Sequence, residues 1–207
     1  MGSRFGVHAV IKIKFYYDLR SPYSFFAWRR RTVLETAGAE LEYTPVSIDI
    51  LLNLQADREP WAKYQDPLAP PKRAHVMADI QRMSKYWDIP LGGPFSFKPQ
   101  AKRAMCVATE LQRRGLDQTE FIERASKTLW EDARDISDER VLERLIGESS
   151  LVEMSHETEA SALRLLTRNT QAAYAAGVYG VPSFGHGNEI YFGADRMDVL
   201  AASLNAT

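Results

Sequence analysis

Hydrophobic and polar residues alternate in the first part of the chain. In the segment 9–18, AVIKIKFYYD, isoleucine and phenylalanine alternate with lysine, which predicts a β-strand. From Pro22 to Gly38 the hydrophobic positions recur every three or four residues, which predicts a helix. Alternation returns in the segment 39–48 as a second strand. A strand, a helix and a strand within about 40 residues predict a βαβ unit, with parallel strands and a right-handed crossover.

The middle of the chain shows a helical pattern. An irregular, proline-rich stretch at 57–71 comes first. Segments of helical length follow, with hydrophobic residues three and four positions apart, at 71–89, 99–115, 118–132, 137–147 and 157–177. Asp117 and Ser137 are placed to cap two of these helices. The sequence pattern of this region therefore predicts helices and no strand.

The strand pattern returns near the end of the chain. Two short segments, 181–184 and 189–192, flank the turn sequence GHGN, and this arrangement predicts a β-hairpin. Asp195, with Asp198 three residues later, resembles a capping box that opens a last helix ending near Leu204. The predicted order is therefore β-α-β, a long helical segment, and then β-β-α.

Composition and charge indicate which classes of binding partner to expect. The formal net charge of −1 indicates neither nucleic-acid nor membrane binding, and no apolar run approaches the roughly 20 residues that span a bilayer. The N-terminal sequence MGSRFGVHAV lacks the pattern of a secretory signal. Cys106 is the sole cysteine and lies in an apolar helical segment, so it is expected to be inert. A single cysteine permits no internal disulfide, so we expect a cytoplasmic protein. One cysteine and scattered histidines also leave no ligand cluster for a metal site, so none is expected.

Ser21 and Pro22 stand where the first predicted strand meets the first predicted helix. Serine followed by proline favours a helix start, with Ser21 as the N-cap. A helix N-terminus also presents unpaired N–H groups and a partial positive charge, so it stabilises an anion. The two interpretations are compatible, because a capping serine can also face a bound anion.

Three motifs carry a resemblance to a known family. FYYDLRSPYSFFA lies at 15–27, GVYGVPSF at 177–184 and YFGADRM at 191–197. In this order and at these separations, they resemble the family of 2-hydroxychromene-2-carboxylate isomerases and kappa-class glutathione transferases. The segment 70–91 also resembles part of that family's helical insert. The resemblance extends from about Ile11 to the C-terminus.

The resemblance implies a fold and a division into domains. It implies an α/β, thioredoxin-like fold of the DsbA type, β-α-β … β-β-α, with a large all-helical domain inserted. The thioredoxin-like domain would comprise 10–50 plus 178–207, and the helical insertion domain 51–177. Redox members of this fold carry Cys-x-x-Cys at the first strand–helix junction, where this chain has Ser-Pro-Tyr-Ser. Disulfide exchange by this motif is excluded, but a serine hydroxyl can donate to the thiolate of another molecule.

Glutathione is the cofactor that the resemblance implies. Ser21 would be the catalytic residue, with its hydroxyl bound to the glutathione thiolate. The Val181–Pro182 bond would be cis, so that the Val181 backbone pairs with the cysteinyl part of glutathione. The backbone of Ala194 and Asp195 would bind the γ-glutamyl carboxylate, and the Asp195 side chain would face the ammonium. Asp195 can equally be explained as the cap of the last helix.

Several basic residues are less firmly assigned. Lys72 and Arg73 are candidates for binding the glycine carboxylate of glutathione, although a basic pair at a helix start is also typical of a solvated face. Asn53 lies near the expected glutathione site, but its spacing does not assign it. Lys102 and Arg103 are candidates for contact with an acidic substrate.

The activity that the resemblance implies is glutathione-dependent isomerisation of an aromatic 2-hydroxychromene-2-carboxylate or a similar unsaturated keto acid. Addition of a thiolate to the conjugated alkene would lower its bond order and permit rotation, and expulsion of the thiolate would restore the alkene. Alternatives are a kappa-class-like glutathione transferase and a non-catalytic thioredoxin-fold binding module. The implied partners are a small aromatic substrate and a second copy of the chain in a homodimer.

Overall fold

A mixed, four-stranded sheet forms the centre of the computed structural model, which describes residues 10–63, 65, 68–93, 95–149 and 152–205. Its strands are β1 (Ile11–Tyr17), β2 (Ala39–Pro45), β3 (Ser183–His186) and β4 (Glu189–Phe192), in the spatial order β2-β1-β3-β4. β1 pairs in parallel with β2 and antiparallel with β3, and β3 forms a hairpin with β4. The predicted βαβ unit and C-terminal hairpin are confirmed.

The predicted helix from residue 22 to 38 is interrupted. It consists of α1 (Pro22–Arg29) and α2 (Thr32–Thr36). At the break, the guanidinium of Arg31 donates to the carbonyl oxygen of Trp28 at 3.1 Å and lies 4.1 Å from the centre of its ring. This contact satisfies a carbonyl at the end of α1 and packs a cation on an aromatic face. The chain therefore leaves the helix earlier than its hydrophobic spacing predicts.

The second strand also ends earlier than predicted, at residue 45 rather than 48. The hydroxyl of Ser47 accepts the amide of Ile50 at 3.5 Å and caps α3 (Ile48–Gln55), a helix that the sequence pattern did not predict. The predicted domain boundary between residues 50 and 51 falls inside α3.

The predicted helices of the middle segment are all present. They are α4 (Pro70–Tyr86), α5 (Lys102–Arg113), α6 (Thr119–Trp130), α7 (Glu139–Ser149) and α8 (His156–Ala175). After β4, a 3₁₀ turn (Ala194–Arg196) leads into α9 (Met197–Leu204). Among the described helices, none combines the length and the apolar composition needed to cross a membrane.

Three predicted helix caps are wrong. Gln118, rather than Asp117, is the N-cap residue of α6, although the carboxylate of Asp117 accepts the amide of Thr119 at 2.9 Å. Asp138, rather than Ser137, caps α7, because its carboxylate accepts two backbone amides of the first turn at 2.9 and 3.2 Å. The capping box of Asp195 and Asp198 does not form. Asp195 lies within the 3₁₀ turn, and the carboxylate of Asp198 accepts the guanidinium of Arg30 at 2.7 Å.

The buried core is continuous across the predicted domain division. Phe15 of β1 stacks on Phe184 of β3 with their ring centres 4.9 Å apart. Phe26 of α1 and Phe121 of α6 belong to the same buried cluster as these sheet residues. The sheet, α1 and helices α4 to α8 therefore share one core, and this core fixes the N-terminus of α1 at the end of β1. Leu51 of α3 packs in a second, smaller cluster with Tyr16 and Val181.

Candidate functional site

Ser21 is buried at the junction of β1 and α1, with 5% of its surface exposed. Its hydroxyl oxygen accepts the amide of Ser24 at 3.2 Å, and Pro22 occupies the first helical position. The predicted N-cap is therefore present. The same hydroxyl donates to the carbonyl oxygen of Val181 at 3.3 Å. A buried hydroxyl donor thus lies at a helix N-terminus, where the backbone favours negative charge.

The Val181–Pro182 peptide bond is cis, the form that the family resemblance predicts. The carbonyl oxygen of Pro182 accepts the amide of Gly193 at 2.9 Å, which joins this loop to the start of the 3₁₀ turn. Across the described part of the chain, no hydrogen bond engages the amide N–H of Val181. A peptide-like ligand would find this donor unused.

Charged groups hold the loop that leads into Ser21. The buried carboxylate of Asp18 accepts the amides of Arg20 and Ile48, both at 2.9 Å. Burial raises the pKa of the Asp18 carboxyl, although the charge of Arg20 and the two amides favour its ionised form. The guanidinium of Arg20 donates to both carboxylate oxygens of Asp49, at 2.7 and 3.1 Å. These contacts fix the backbone immediately before the serine.

A cleft of about 400 Å³ opens beside the cis peptide bond, and we call it the cis-proline cleft. One wall comes from α1, α4 and the residue after α4. The other wall comes from the loop before β3 and the chain from the end of β4 to the 3₁₀ turn. The lining residues are Tyr23, Asp79, Met83, Trp87, Val181, Pro182 and 192–196. Its volume is in the range typical of small-molecule sites.

Tyr23 and Asp79 form a polar contact across α1 and α4 in this cleft. The phenol of Tyr23 donates to the carboxylate of Asp79 at 2.8 Å, and Arg82 donates to the other carboxylate oxygen at 3.2 Å. Burial first, and then the bond to Asp79, raise the pKa of the Tyr23 phenol well above its usual value, so the phenol stays protonated at physiological pH. No pattern in the sequence singled out this contact between Tyr23 and Asp79.

Asp195 and Arg196 line the opposite wall. Their side chains form an ion pair at 3.0 Å, and each is more than half exposed. Ala194 is buried, and its carbonyl oxygen accepts the guanidinium of Arg30 at 2.6 Å. This guanidinium also lies 4.4 Å from the centre of the Trp87 ring. Arg30 therefore links the 3₁₀ turn to α1, a contact that no sequence pattern indicated.

Four of the predicted site positions therefore line one cleft, and a fifth adjoins it. Val181, Pro182, Ala194 and Asp195 line the cis-proline cleft. Ser21 contacts one of these residues through its hydroxyl. That these residues bind glutathione stays a prediction.

Lys72 and Arg73 do not line the cis-proline cleft. Both are exposed in the first turn of α4. Asp79, the nearest lining residue of that helix, comes seven positions after Lys72 and six after Arg73, which is about 9–10 Å along the helix axis. Contact between these two basic residues and a glycine carboxylate stays a prediction that this geometry does not favour.

The remaining candidates have structural partners. Asn53 donates to two backbone carbonyls of the following loop at 2.9 and 3.0 Å. The ammonium of Lys102 lies 4.5 Å from the ring centre of Trp61, and Arg103 pairs with two glutamates at 3.3 and 3.5 Å. Cys106 is buried, and burial raises the pKa of its thiol to about 11. Within the described ranges, no three His, Cys, Asp or Glu side chains converge as a metal site requires.

Comparison with known proteins gives matches over nearly the whole chain. A family model described as a DSBA-like thioredoxin domain matches residues 12–205. The chain is similar to glutathione S-transferase kappa 1 of Caenorhabditis elegans, with 28% identity over 92% of this chain and 89% of the relative. It is similar to 2-hydroxychromene-2-carboxylate isomerase of Sphingobium xenophagum, with 28% identity over 93% of this chain and 97% of the relative.

A solved structure matches the architecture. The structure of a 2-hydroxychromene-2-carboxylate isomerase superposes with a TM-score of 0.74 over 95% of both chains, at 19% sequence identity. This likeness shows a common fold, in which a thioredoxin-like sheet carries a long helical segment between its two halves.

Proposed function

The chain belongs to the DsbA-like thioredoxin family, and we propose that within this family it is a glutathione-dependent enzyme. The observation that carries the proposal is the 3.3 Å contact between the Ser21 hydroxyl and the Val181 carbonyl oxygen. It brings a buried hydroxyl donor and a helix N-terminus to the edge of the cis-proline cleft. The described residues there include no cysteine, so a reactive sulfur would have to come from a ligand. The similarity to a kappa glutathione transferase supports glutathione as that ligand.

The Ser21 hydroxyl would change its hydrogen-bond acceptor when it binds the ligand's sulfur. Its hydroxyl donates to the Val181 carbonyl oxygen and would donate to a thiolate in its place. A free thiol titrates near pH 8.5, and each unit of pKa depression corresponds to about 1.4 kcal/mol of preferential anion binding. A hydroxyl donor and a helix N-terminus together lower the pKa of a bound thiol by roughly one to two units. The thiolate would then be a major species near pH 7.

Other residues of the cis-proline cleft would position the rest of glutathione. The unused amide of Val181 is a donor for the carbonyl of the cysteinyl part. The backbone amides of the 3₁₀ turn at Ala194 and Asp195 would face the γ-glutamyl carboxylate. The Asp195 carboxylate would face the ammonium, which adds a charge-assisted contact.

Isomerisation of an aromatic, unsaturated keto acid of the 2-hydroxychromene-2-carboxylate type is the first candidate reaction. Bound glutathione would supply a thiolate that adds reversibly to a conjugated carbon and is regenerated. The similarity to the Sphingobium xenophagum isomerase supports this candidate. Conjugation of glutathione to an electrophile is the second candidate, and the equally strong similarity to the Caenorhabditis elegans transferase supports it.

A thiolate titration tests the glutathione proposal directly. Ultraviolet absorbance of the thiolate is followed against pH for glutathione with wild-type protein, with Ser21→Ala and with Ser155→Ala. Ser155 caps α8 by accepting an amide at 3.2 Å, as Ser21 caps α1, but it lies outside the cis-proline cleft. We expect a pKa for bound glutathione one to two units below 8.5 in wild type and Ser155→Ala, and a value near 8.5 in Ser21→Ala. Absence of a thiolate signal near pH 7 in wild type would refute the proposal.

The fate of the thiol separates the two reactions. Wild-type protein is incubated with glutathione and either a 2-hydroxychromene-2-carboxylate or chlorodinitrobenzene, and free thiol is measured over time. Isomerisation leaves the thiol concentration unchanged while the substrate converts, whereas conjugation consumes one thiol for each product molecule. A protein that binds glutathione without converting either substrate would be the non-catalytic binding module.

A further inference from the structure

A groove of about 740 Å³ lies between α8 and the segment 59–62, and we call it the Trp61 groove. The segment 59–62 forms one wall, and the other wall consists of Leu163, Arg164, Thr167 and Arg168 of α8. None of these residues lines the cis-proline cleft. The volume is sufficient for a small organic ligand, so the groove is a candidate for a second binding site.

Most of the surface inside the Trp61 groove is apolar. Trp61 is 39% exposed, and the partly buried side chains of Pro60, Ala62 and Leu163 lie beside it. An exposed tryptophan among other apolar side chains offers a large area that is stabilised when a ligand covers it. The groove therefore suits a ligand with an apolar body.

Hydrogen bonds hold the segment 59–62 in place against α8. The indole N–H of Trp61 donates to the hydroxyl oxygen of Thr167 at 3.0 Å. The side-chain amide of Asn53 donates to the carbonyl oxygens of Pro60 and Ala62, at 2.9 and 3.0 Å. Because these bonds fix both walls without a ligand, binding in the groove would cost little additional ordering of the chain.

Two arginines, Arg164 and Arg168, lie one helical turn apart in the wall formed by α8. Both are exposed, and within the described ranges neither guanidinium has a hydrogen bond or an ion pair. Like charges four positions apart on a helix repel each other, and their Cβ atoms are only about 5–6 Å apart. Both guanidiniums can therefore reach one bound anion, which would relieve this repulsion.

The charge of the lining favours an anion with a single charge. Glu59 is exposed and also lines the groove, so two guanidiniums and one carboxylate face the ligand. A monoanion balances this set of charges, whereas a doubly charged phosphate monoester would exceed it. A carboxylate also matches the guanidinium group, with which it forms two parallel, charge-assisted hydrogen bonds.

We propose that the Trp61 groove binds an organic carboxylate with an apolar body. The carboxylate would lie between Arg164 and Arg168, and the apolar body would cover Trp61 and Leu163. This binding site is separate from the cis-proline cleft and does not depend on the proposed function.

Equilibrium dialysis at pH 7.5, without glutathione, tests the proposal. Naphthalene-2-carboxylate and naphthalene-2-carboxamide share a flat apolar body and differ in charge, and octanoate and octanamide repeat the comparison with a flexible chain. We expect the acid to bind at least tenfold more tightly than its amide in at least one pair, and the pair with the larger preference identifies the kind of body. Added sodium chloride should weaken binding of that acid, because salt screens its contact with the arginines, and should leave the amide unaffected. No preference for the acid in either pair, or no binding at all, would overturn the proposal.

A second pair of arginines provides a matched control for the location. Arg140 and Arg144 of α7 are also exposed and four positions apart, but neither lines the Trp61 groove. In the double variant Arg164→Gln/Arg168→Gln, we expect the affinity for the acid to fall to that of its amide, with the amide unchanged. The double variant Arg140→Gln/Arg144→Gln removes the same charge and should retain the preference. An equal loss in both double variants would overturn the location, because it would report a general effect of charge.

A second copy of the chain is the alternative occupant of the groove, and sedimentation equilibrium distinguishes it from a small ligand. We expect wild-type protein and Arg164→Gln/Arg168→Gln to have the same association state, because the proposed ligand is not part of an interface between chains. A lower association state in the double variant would assign the groove to a second copy and overturn the proposal.

Discussion

Ser21 and Val181 are 160 positions apart in the sequence, yet the hydroxyl of the first donates to the carbonyl oxygen of the second at 3.3 Å. Each residue has a local structural role, Ser21 as the cap of α1 and Val181 as the residue before a cis proline. The pairing of β1 with β3 brings these two local features together. The candidate site is thus a product of sheet topology, because neither segment forms it alone.

The pH dependence of turnover is expected to report the contact of Ser21 with a thiolate. In wild type, kcat/KM with glutathione should rise to a plateau with a midpoint one to two pH units below 8.5. In Ser21→Ala the midpoint should move towards 8.5, so the loss of activity should be about tenfold or more at pH 6.5 and should shrink as the pH rises. Steady-state kinetics between pH 5.5 and 9.5 measure both midpoints.

The capping role of Ser21 has to be separated from this effect. Loss of an N-cap costs about 1 kcal/mol, so Ser21→Ala and Ser155→Ala should lower the free energy of unfolding by similar amounts in urea denaturation. An equal loss of activity at all pH values in Ser21→Ala would contradict a role in thiol ionisation and would indicate a structural role alone.

The contact between Tyr23 and Asp79 is expected to stabilise the packing of α4 on α1. Tyr23→Phe and Asp79→Asn should each lower the free energy of unfolding by roughly 0.5–1.5 kcal/mol, because each removes or weakens a half-buried hydrogen bond at 2.8 Å. The double variant should cost less than the sum of the single ones, since both remove the same contact. Urea denaturation of the four proteins measures this coupling, and strictly additive costs would contradict it.

Periodicity made the sheet and the long helices predictable, but not the residues that act across elements. The alternation in β1 and the helical spacing of α4 to α8 follow from which side chains face the core. The break after α1 depends on Arg31 reaching the carbonyl of Trp28, and the start of α3 depends on Ser47 capping it, contacts that hydrophobic spacing does not encode. Polar side chains therefore determine where α1 ends and where α3 begins.

The residues of the candidate site likewise fall into two groups, those that could be identified before the structure and those that could not. Ser21 carries a local chemical signal, a serine before proline where a strand meets a helix, and Val181 is identified through the family resemblance. Asp79 and Arg30 carry none. Their contacts with Tyr23 and with the carbonyl of Ala194 depend on how α4 and the 3₁₀ turn pack on α1, which only the tertiary structure defines.

Cys106 is expected to be unreactive in the folded protein. Burial raises the pKa of its thiol from 9.0 to about 11, and nearby Glu159 adds to this. Ellman's reagent should therefore detect almost no thiol at pH 8 in native buffer and one thiol per chain in guanidinium chloride. Because the folded pKa is raised, the stability linked to this proton is fully present below about pH 9 and is lost as the pH rises through about 11. Rapid reaction in native buffer would contradict the buried position.

Replacing Gly92, which follows α4 in the chain, is expected to destabilise the protein. Its amide donates to the carbonyl oxygen of Trp130 at 2.7 Å, and a Cβ atom added there would collide with the carbonyl oxygen of Glu131. Backbone atoms cannot move aside as a flexible side chain can, so Gly92→Ala should cost roughly 1–3 kcal/mol of unfolding free energy. Gly147→Ala is the matched control, because a Cβ there meets no described atom within 4 Å. Alanine in the interior of α7 should stabilise the protein by about 0.5–1 kcal/mol. Urea denaturation of both variants measures these changes, and an unchanged unfolding free energy in Gly92→Ala would show that residues 91–93 are not anchored to the end of α6.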